Sequence, residues 1–128
     1  MKIRYIVALS MLAGAALGSA AIQGLHAQAK PKAYSVSETE LLDATAQAAY
    51  TPLAQAAQRN AGARPLRTAG GKVVAIEGAA PPKRVAITEW DSLEQAQAFY
   101  NSAAWKDLAP QRDKGVKLIR RYVVEAMN

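Results

Sequence analysis

The groups able to do chemistry in this chain are few, and two near-absences set the limits. There is no cysteine, and the single histidine is His26. His26 falls in an N-terminal stretch that reads as a leader, so the domain behind it has neither residue. That excludes thiol nucleophiles, His-based triads, disulfides, haem ligation by histidine and ordinary zinc sites. Proton chemistry is left to Asp, Glu, Lys and Tyr. No cofactor and no metal is expected. Gly70-Gly71 has neither the spacing nor the following helix of a phosphate-binding loop, and turn geometry accounts for it.

Glu89 is the candidate catalytic residue. It lies near the end of RVAITEW (84–90), after four uncharged residues. Buried with few partners, its pKa would rise and it could carry a proton. The other reading is an ion pair with Arg120, Arg121 or Arg84 on a neighbouring strand. Tyr34, Trp90, Tyr100 and Trp105 are candidate walls of a pocket for a flat organic ligand. The same residues at strand and helix spacing also suit a plain core. Arg112 is a candidate for holding a carboxylate bidentately, against the alternative of a solvated surface arginine.

These side chains need elements to position them. Residues 33–40 (AYSVSETE) alternate in part and read as a first strand. Asp43 is the N-cap of a helix whose stripe is Ala46, Ala49, Tyr50, Leu53 and Ala57. Pro52 should kink it, or Thr51 re-cap a second segment there, and Gly62 stops it. Residues 64–77 hold two short apolar runs around the double glycine, either a hairpin or one strand broken by a bulge. Residues 84–90, with apolar side chains on both faces, read as a central strand.

Ser92 with Gln95 forms a capping box, and Ala96, Phe99, Tyr100 and Ala103 follow on one helix face. A short helix over 102–108 ends near Pro110, and 117–126 is the last strand. The order β-α-β-β-α-β with right-handed crossovers gives an α+β fold, ferredoxin-like: a four-stranded antiparallel sheet with both helices on one face. The other face carries Val, Ile, Tyr and Trp and needs a cover, most simply a second copy.

The chain has 128 residues, room for one domain. Lys2 and Arg4 precede an uncharged apolar run over 6–22, and Ala27-Gln28-Ala29 fits a signal-peptidase site. The expectation is a signal peptide over 1–29, cleaved after Ala29, and a single domain over 30–128 that is periplasmic or secreted. The alternative is a membrane anchor formed by an uncleaved N-terminal helix. Once cleaved, no stable membrane span is expected. Without Lys2 and Arg4, fourteen basic residues face ten acidic ones, a net charge of +4. They are scattered in pairs, so no nucleic-acid partner is expected.

The domain also resembles the domain-of-unknown-function 1330 family of the dimeric α/β-barrel superfamily. The resemblance rests on Tyr34-x-Val36, Asp43 followed by Tyr50, Leu66-x-Thr68-Ala69-Gly70-Gly71 and Glu77-Gly78. It continues through PKRVAITEWDSLEQA (82–96) and Phe99-Tyr100-Asn101-Ser102-x-x-Trp105-x-x-Leu108-Ala109-Pro110. The family often has an aromatic where Gln47 stands and a double glycine where this chain has Gly62-Ala63. The resemblance implies the fold and a homodimer through the sheet face, without an assigned reaction.

Three functions fit these residues. The first is a homodimer with a pocket for a small hydrophobic or aromatic molecule. The second is a cofactor-independent enzyme, oxygenase- or isomerase-like, acting on an aromatic or enol substrate through Glu89 and a tyrosine. The third is a structural or stress-associated accessory protein.

Overall fold

The computed structural model describes residues 30–127, and the expected signal peptide lies outside them. Strand β1 (Ala33–Leu41) leads through the Asp43 cap into helix α1 (Ala44–Asn60). Strand β2 is only Arg64–Pro65, and β3 is Arg84–Trp90. Helices α2 (Leu93–Tyr100), α3 (Ala103–Lys106) and α4 (Ala109–Gly115) then lead to strand β4 (Val116–Glu125). The sheet order is β2-β3-β1-β4, with every neighbouring pair antiparallel. This is the ferredoxin-like order expected of two right-handed βαβ halves. Among the described residues no helix is long and apolar enough to cross a membrane.

Register assigns the two faces of the sheet. Ala33 pairs with Trp90 and Ser35 with Thr88, and all four are buried. Trp90 is 0% exposed and packs 5.0 Å, centroid to centroid, from Phe99 of α2. Its indole Nε1 donates to Ser35 Oγ at 3.0 Å, and the Tyr100 hydroxyl donates to the same oxygen at 2.8 Å. One small serine thus satisfies two buried polar tips that the aromatic core would otherwise strand.

Several local expectations hold. Asp43 Oδ1 accepts from the Ala46 N–H at 2.7 Å, and Ser92 Oγ accepts from the Gln95 N–H at 3.1 Å. The Gln95 side chain reaches back to the Asp91 N–H, one residue before the cap itself. Gly62 has φ +88°, the left-handed conformation that ends a helix at low cost in glycine.

Other expectations are corrected. Helix α1 continues through Pro52 as one element, so Thr51 does not re-cap a second segment. The Thr51 hydroxyl donates to the Gln47 carbonyl at 2.9 Å, the back-bond to residue i−4 that a helical threonine makes. The buried stripe of α1 is Tyr50, Ala54 and Gln58, while Ala49 is exposed and Leu53 is 45% exposed. The polar Gln58 belongs inside because the hydroxyl of buried Thr88 donates to its carbonyl at 3.4 Å.

The expected long strand or hairpin over 64–77 shrinks to two residues. Arg67 takes φ +61°, which no strand accommodates. Thr68 then replaces the ladder with its side chain, donating to the Val85 carbonyl and accepting from the Ile87 N–H. The following apolar run lies in irregular chain, with Ile76 86% exposed.

Helix α4 is an addition to the expected elements: Pro110, near which the short helix over 102–108 is expected to end, sits in the first turn of a further helix. Gly115 ends this helix against α1, where a Cβ would lie 2.7 Å from the Gln47 nitrogen. Its carbonyl accepts from the Leu42 and Asp43 N–H groups, so the start of α1 is tied to the start of β4.

Candidate functional site

The face of the sheet under α1 is polar where the face under α2 is aromatic. Ser37, Thr88 and Arg121, with the small Ala86, line the sheet there and leave space beneath α1. A cleft of about 80 Å³ results, walled by Tyr50, Ala54 and Gln58 of α1, by Trp105 of α3 and by these strand residues. A wider depression of about 380 Å³, lined by Leu41, Ala44 and Ala48 with Gly70, shares Gln47, Thr51, Gln55, Arg67, Ala69 and Arg84 with it.

Four arginines line the cleft: Arg67, Arg84, Arg112 and Arg121. No aspartate or glutamate is among its lining residues. Arg121 lies over the rings of Tyr100 and Trp105, 5.1 and 4.8 Å from their centroids. Its Nε donates to Ser37 Oγ at 2.7 Å. Cation–π contacts of this kind contribute about 0.5–2 kcal/mol each and hold the guanidinium in one orientation. Burial lowers the Arg121 pKa, because desolvation disfavours the charged form. Burial also pushes the Tyr50 phenol up to about 12, with Arg121 and Arg112 pulling the other way. Tyr50 is therefore a neutral hydroxyl at pH 7.

The residues named from sequence divide three ways. Trp105 and Arg112 line the cleft. Arg112 is in the middle of α4, and its Nε contacts Asp113 at 3.0 Å. Trp90 is core and the partly buried Tyr100 packs against it, both rings in the cluster around Phe99. Tyr34 and Glu89 lie on the opposite face of the sheet, where the Tyr34 hydroxyl donates to Glu89 Oε1 at 3.4 Å.

Glu89 does not meet the condition set for a proton carrier. Arg64 Nε bonds its Oε2, Lys32 Nζ lies 3.7 Å from Oε1, and its pKa is lowered, first by the Arg64 hydrogen bond. The ion-pair reading applies, with Arg64 as the cation in place of Arg84, Arg120 or Arg121. Arg64 is supplied by the two-residue strand β2, which pairs Arg64 with Glu89.

Sequence reasoning missed Arg84, Arg121 and Gln47 as a group. The available signal was alternation: Arg84 and Arg121 fall in phase with the core-facing residues Trp90 and Val123 of their own strands. A charge at a core-facing position is a question that strand periodicity can raise. Among the described residues no group of His, Cys, Asp and Glu is placed to hold a metal ion.

A family model described as domain of unknown function (DUF1330) matches residues 32–127. No curated protein matches the chain. Among solved structures, a protein of unknown function from Rhodopseudomonas palustris is similar at 14% identity, with a TM-score of 0.59 over 84% of this chain and 92% of that one. A putative antibiotic biosynthesis monooxygenase from Chloroflexus aurantiacus is similar at 14% identity, with a TM-score of 0.45 over 76% of this chain and 94% of that one. A dimeric protein of unknown function and ferredoxin-like fold from Bacteroides fragilis is similar at 8% identity, with a TM-score of 0.43 over 77% and 97%. At these identities the Rhodopseudomonas structure speaks for the fold alone.

Proposed function

The chain belongs to the family described as domain of unknown function (DUF1330), and from that premise we propose that it is an exported homodimer holding a small hydrophobic or aromatic molecule between α1 and the sheet. The observation carrying this reading is the cleft itself, in which Tyr50, Trp105 and Ala54 supply apolar wall and Gln47, Thr88 and the arginines supply orienting polar groups. Apolar walls with a few convergent polar groups are the usual composition of a small-molecule site.

The reading as an enzyme that works through Glu89 draws no support from this geometry. Glu89 is ionised, paired and across the sheet from the cleft. The homodimer is supported by the open face of the sheet, where Ile87, Val36 and Tyr122 form an apolar row across β3, β1 and β4. Tyr122 is 46% and Val124 53% exposed in the single chain, an apolar surface that association would cover. Export is supported by the leader-like pattern ending at Ala27-Gln28-Ala29.

Thermal-shift screening of the purified protein, expressed from its full coding sequence, against a panel of small aromatic compounds tests the pocket. A ligand at a hundred times its Kd stabilises by about 2.7 kcal/mol, several degrees or more in a domain of this size. No shift across the panel, with Tyr50→Ala giving the same melting profile, sinks the reading. Light scattering after size exclusion gives the assembly state, and intact mass of the periplasmic fraction shows whether residues 1–29 have been removed.

A further inference from the structure

We propose that the cleft selects an anion: a small organic carboxylate, its charged end held by Arg84 and Arg121 and its flat body against Tyr50 and Trp105. This rests on the cleft being a ligand site, as proposed above, and adds the chemical class of the ligand.

Charge is distributed unevenly in this fold. On the open face the acids have partners: Glu38 with Arg120 at 2.8 Å, and Glu89 and Asp91 with Arg64 and Lys32. In the cleft the balance is reversed. Arg67, Arg84 and Arg121 have no carboxylate within salt-bridge distance among the described residues, and Arg112 has only the exposed Asp113 beside it in sequence. Buried charges are ordinarily paired, since desolvating an unpaired one is costly. Arg84 and Arg121, both partly buried and without a counter-ion, are complementary to an anion brought from outside, and the exposed Arg67 adds to the same positive field.

The polar atoms left over indicate where that anion sits. Arg84 Nε is buried with no hydrogen-bond partner, and so is Gln47 Oε1. Leaving such a group unsatisfied costs about 1–3 kcal/mol, and more when it is charged. A carboxylate oxygen would satisfy Arg84, and a hydroxyl or water beside it would satisfy Gln47. Arg121 is pre-oriented by Ser37 and its two aromatic rings, so little side-chain entropy is lost in binding. Inorganic anions would use the same arginines, but they leave the Tyr50 and Trp105 wall without a partner.

Arg84 also lines the wider depression along α1, with Arg67, whose φ of +61° is a conformation unfavourable to any side chain but glycine's hydrogen. A ligand larger than the 80 Å³ cleft therefore has room to extend past Arg84 toward that opening.

Calorimetric titration of the protein with benzoate, benzamide and inorganic phosphate tests the proposal. Benzoate should bind at least ten times more tightly than benzamide, which has the same ring without the charge, and more tightly than phosphate. Arg84→Gln should weaken benzoate about 10–100-fold and leave benzamide unchanged, and Arg84→Lys should fall between. Equal binding of benzoate and benzamide overturns the anion while the pocket stands. Binding of neither ring compound removes the pocket itself. Phosphate binding as tightly as benzoate overturns the organic body, and unchanged benzoate affinity in Arg84→Gln overturns the assigned residue. A melting curve of each variant checks folding, and Arg121→Gln, at the other assigned arginine, is the second variant if Arg84→Gln does not fold.

Discussion

The same four strands present two faces that treat charge in opposite ways. On the open face, Glu38 and Arg120 pair across β1 and β4, Glu89 and Arg64 pair across β3 and β2, and the apolar row of Ile87, Val36 and Tyr122 runs between them. On the covered face, an aromatic core under α2 gives way under α1 to a cleft with four arginines and no acid. A face whose charges cancel locally can meet another protein surface with little electrostatic cost. A pocket whose charges do not cancel is suited to a small ion. Pairing, more than the mere presence of charge, distinguishes a surface for association from a site for a ligand.

The largest effect that could break this comparison is on the covered face. Trp90→Ala should destabilise the fold by about 3–5 kcal/mol, the usual range for emptying a buried tryptophan site, measured by urea denaturation. A loss below about 1 kcal/mol would mean that Trp90 is not the anchor of that core.

The open face should respond differently. Val36→Asp places an unpaired charge at the centre of the apolar row, so the proposed homodimer should give way to monomer in sedimentation velocity. The fold of each chain should lose only about 1–2 kcal/mol, because Val36 is half-buried. A dimer that survives this substitution is built on some other surface.

The smallest effect is a matter of pH. Hydrogen bonds from Arg120 and Arg64 hold the Glu38, Glu89 and Asp91 carboxyls below their ordinary values of 4.5 and 3.8. A depressed folded-state pKa means that the unfolded chain takes up protons first as pH falls. The stabilisation is thus complete above about pH 4.5, and it declines as pH drops through the lowered values. Arg120→Gln should flatten the Glu38 part of that decline in acid denaturation curves. An unaltered acid profile would show that the pair contributes nothing, as many exposed ion pairs do.

Much of the fold was legible because its signals are local. Asp43 and Ser92 announce helix starts through side chains that reach their own helix's free N–H groups. The 84–90 run has the composition of a central strand, and the observed β3 has those bounds. The run 64–77 misled for an equally physical reason: apolar composition suggests a strand, whereas one left-handed residue, Arg67, ends it. Sequence pattern carries no sign of that φ angle.

The site was less legible. Tyr34, Glu89, Trp90 and Tyr100 were grouped with Trp105 and Arg112 by residue type, and the sheet separates the first two from the rest. Arg84 and Arg121, 37 positions apart in the chain, become neighbours of one cleft only when β3 and β4 flank β1. Nothing at short range could have paired them.

What the amino-acid sequence determined by itself was the set of available chemistries, the helix caps and the order of strands and helices, since each depends on residue identity or on contacts a few positions apart. Tertiary structure alone decided which side of the sheet each charge occupies and which charges find partners. Those outcomes depend on cross-strand register and on how closely α1 can approach the sheet, and both are properties of contacts between distant parts of the chain.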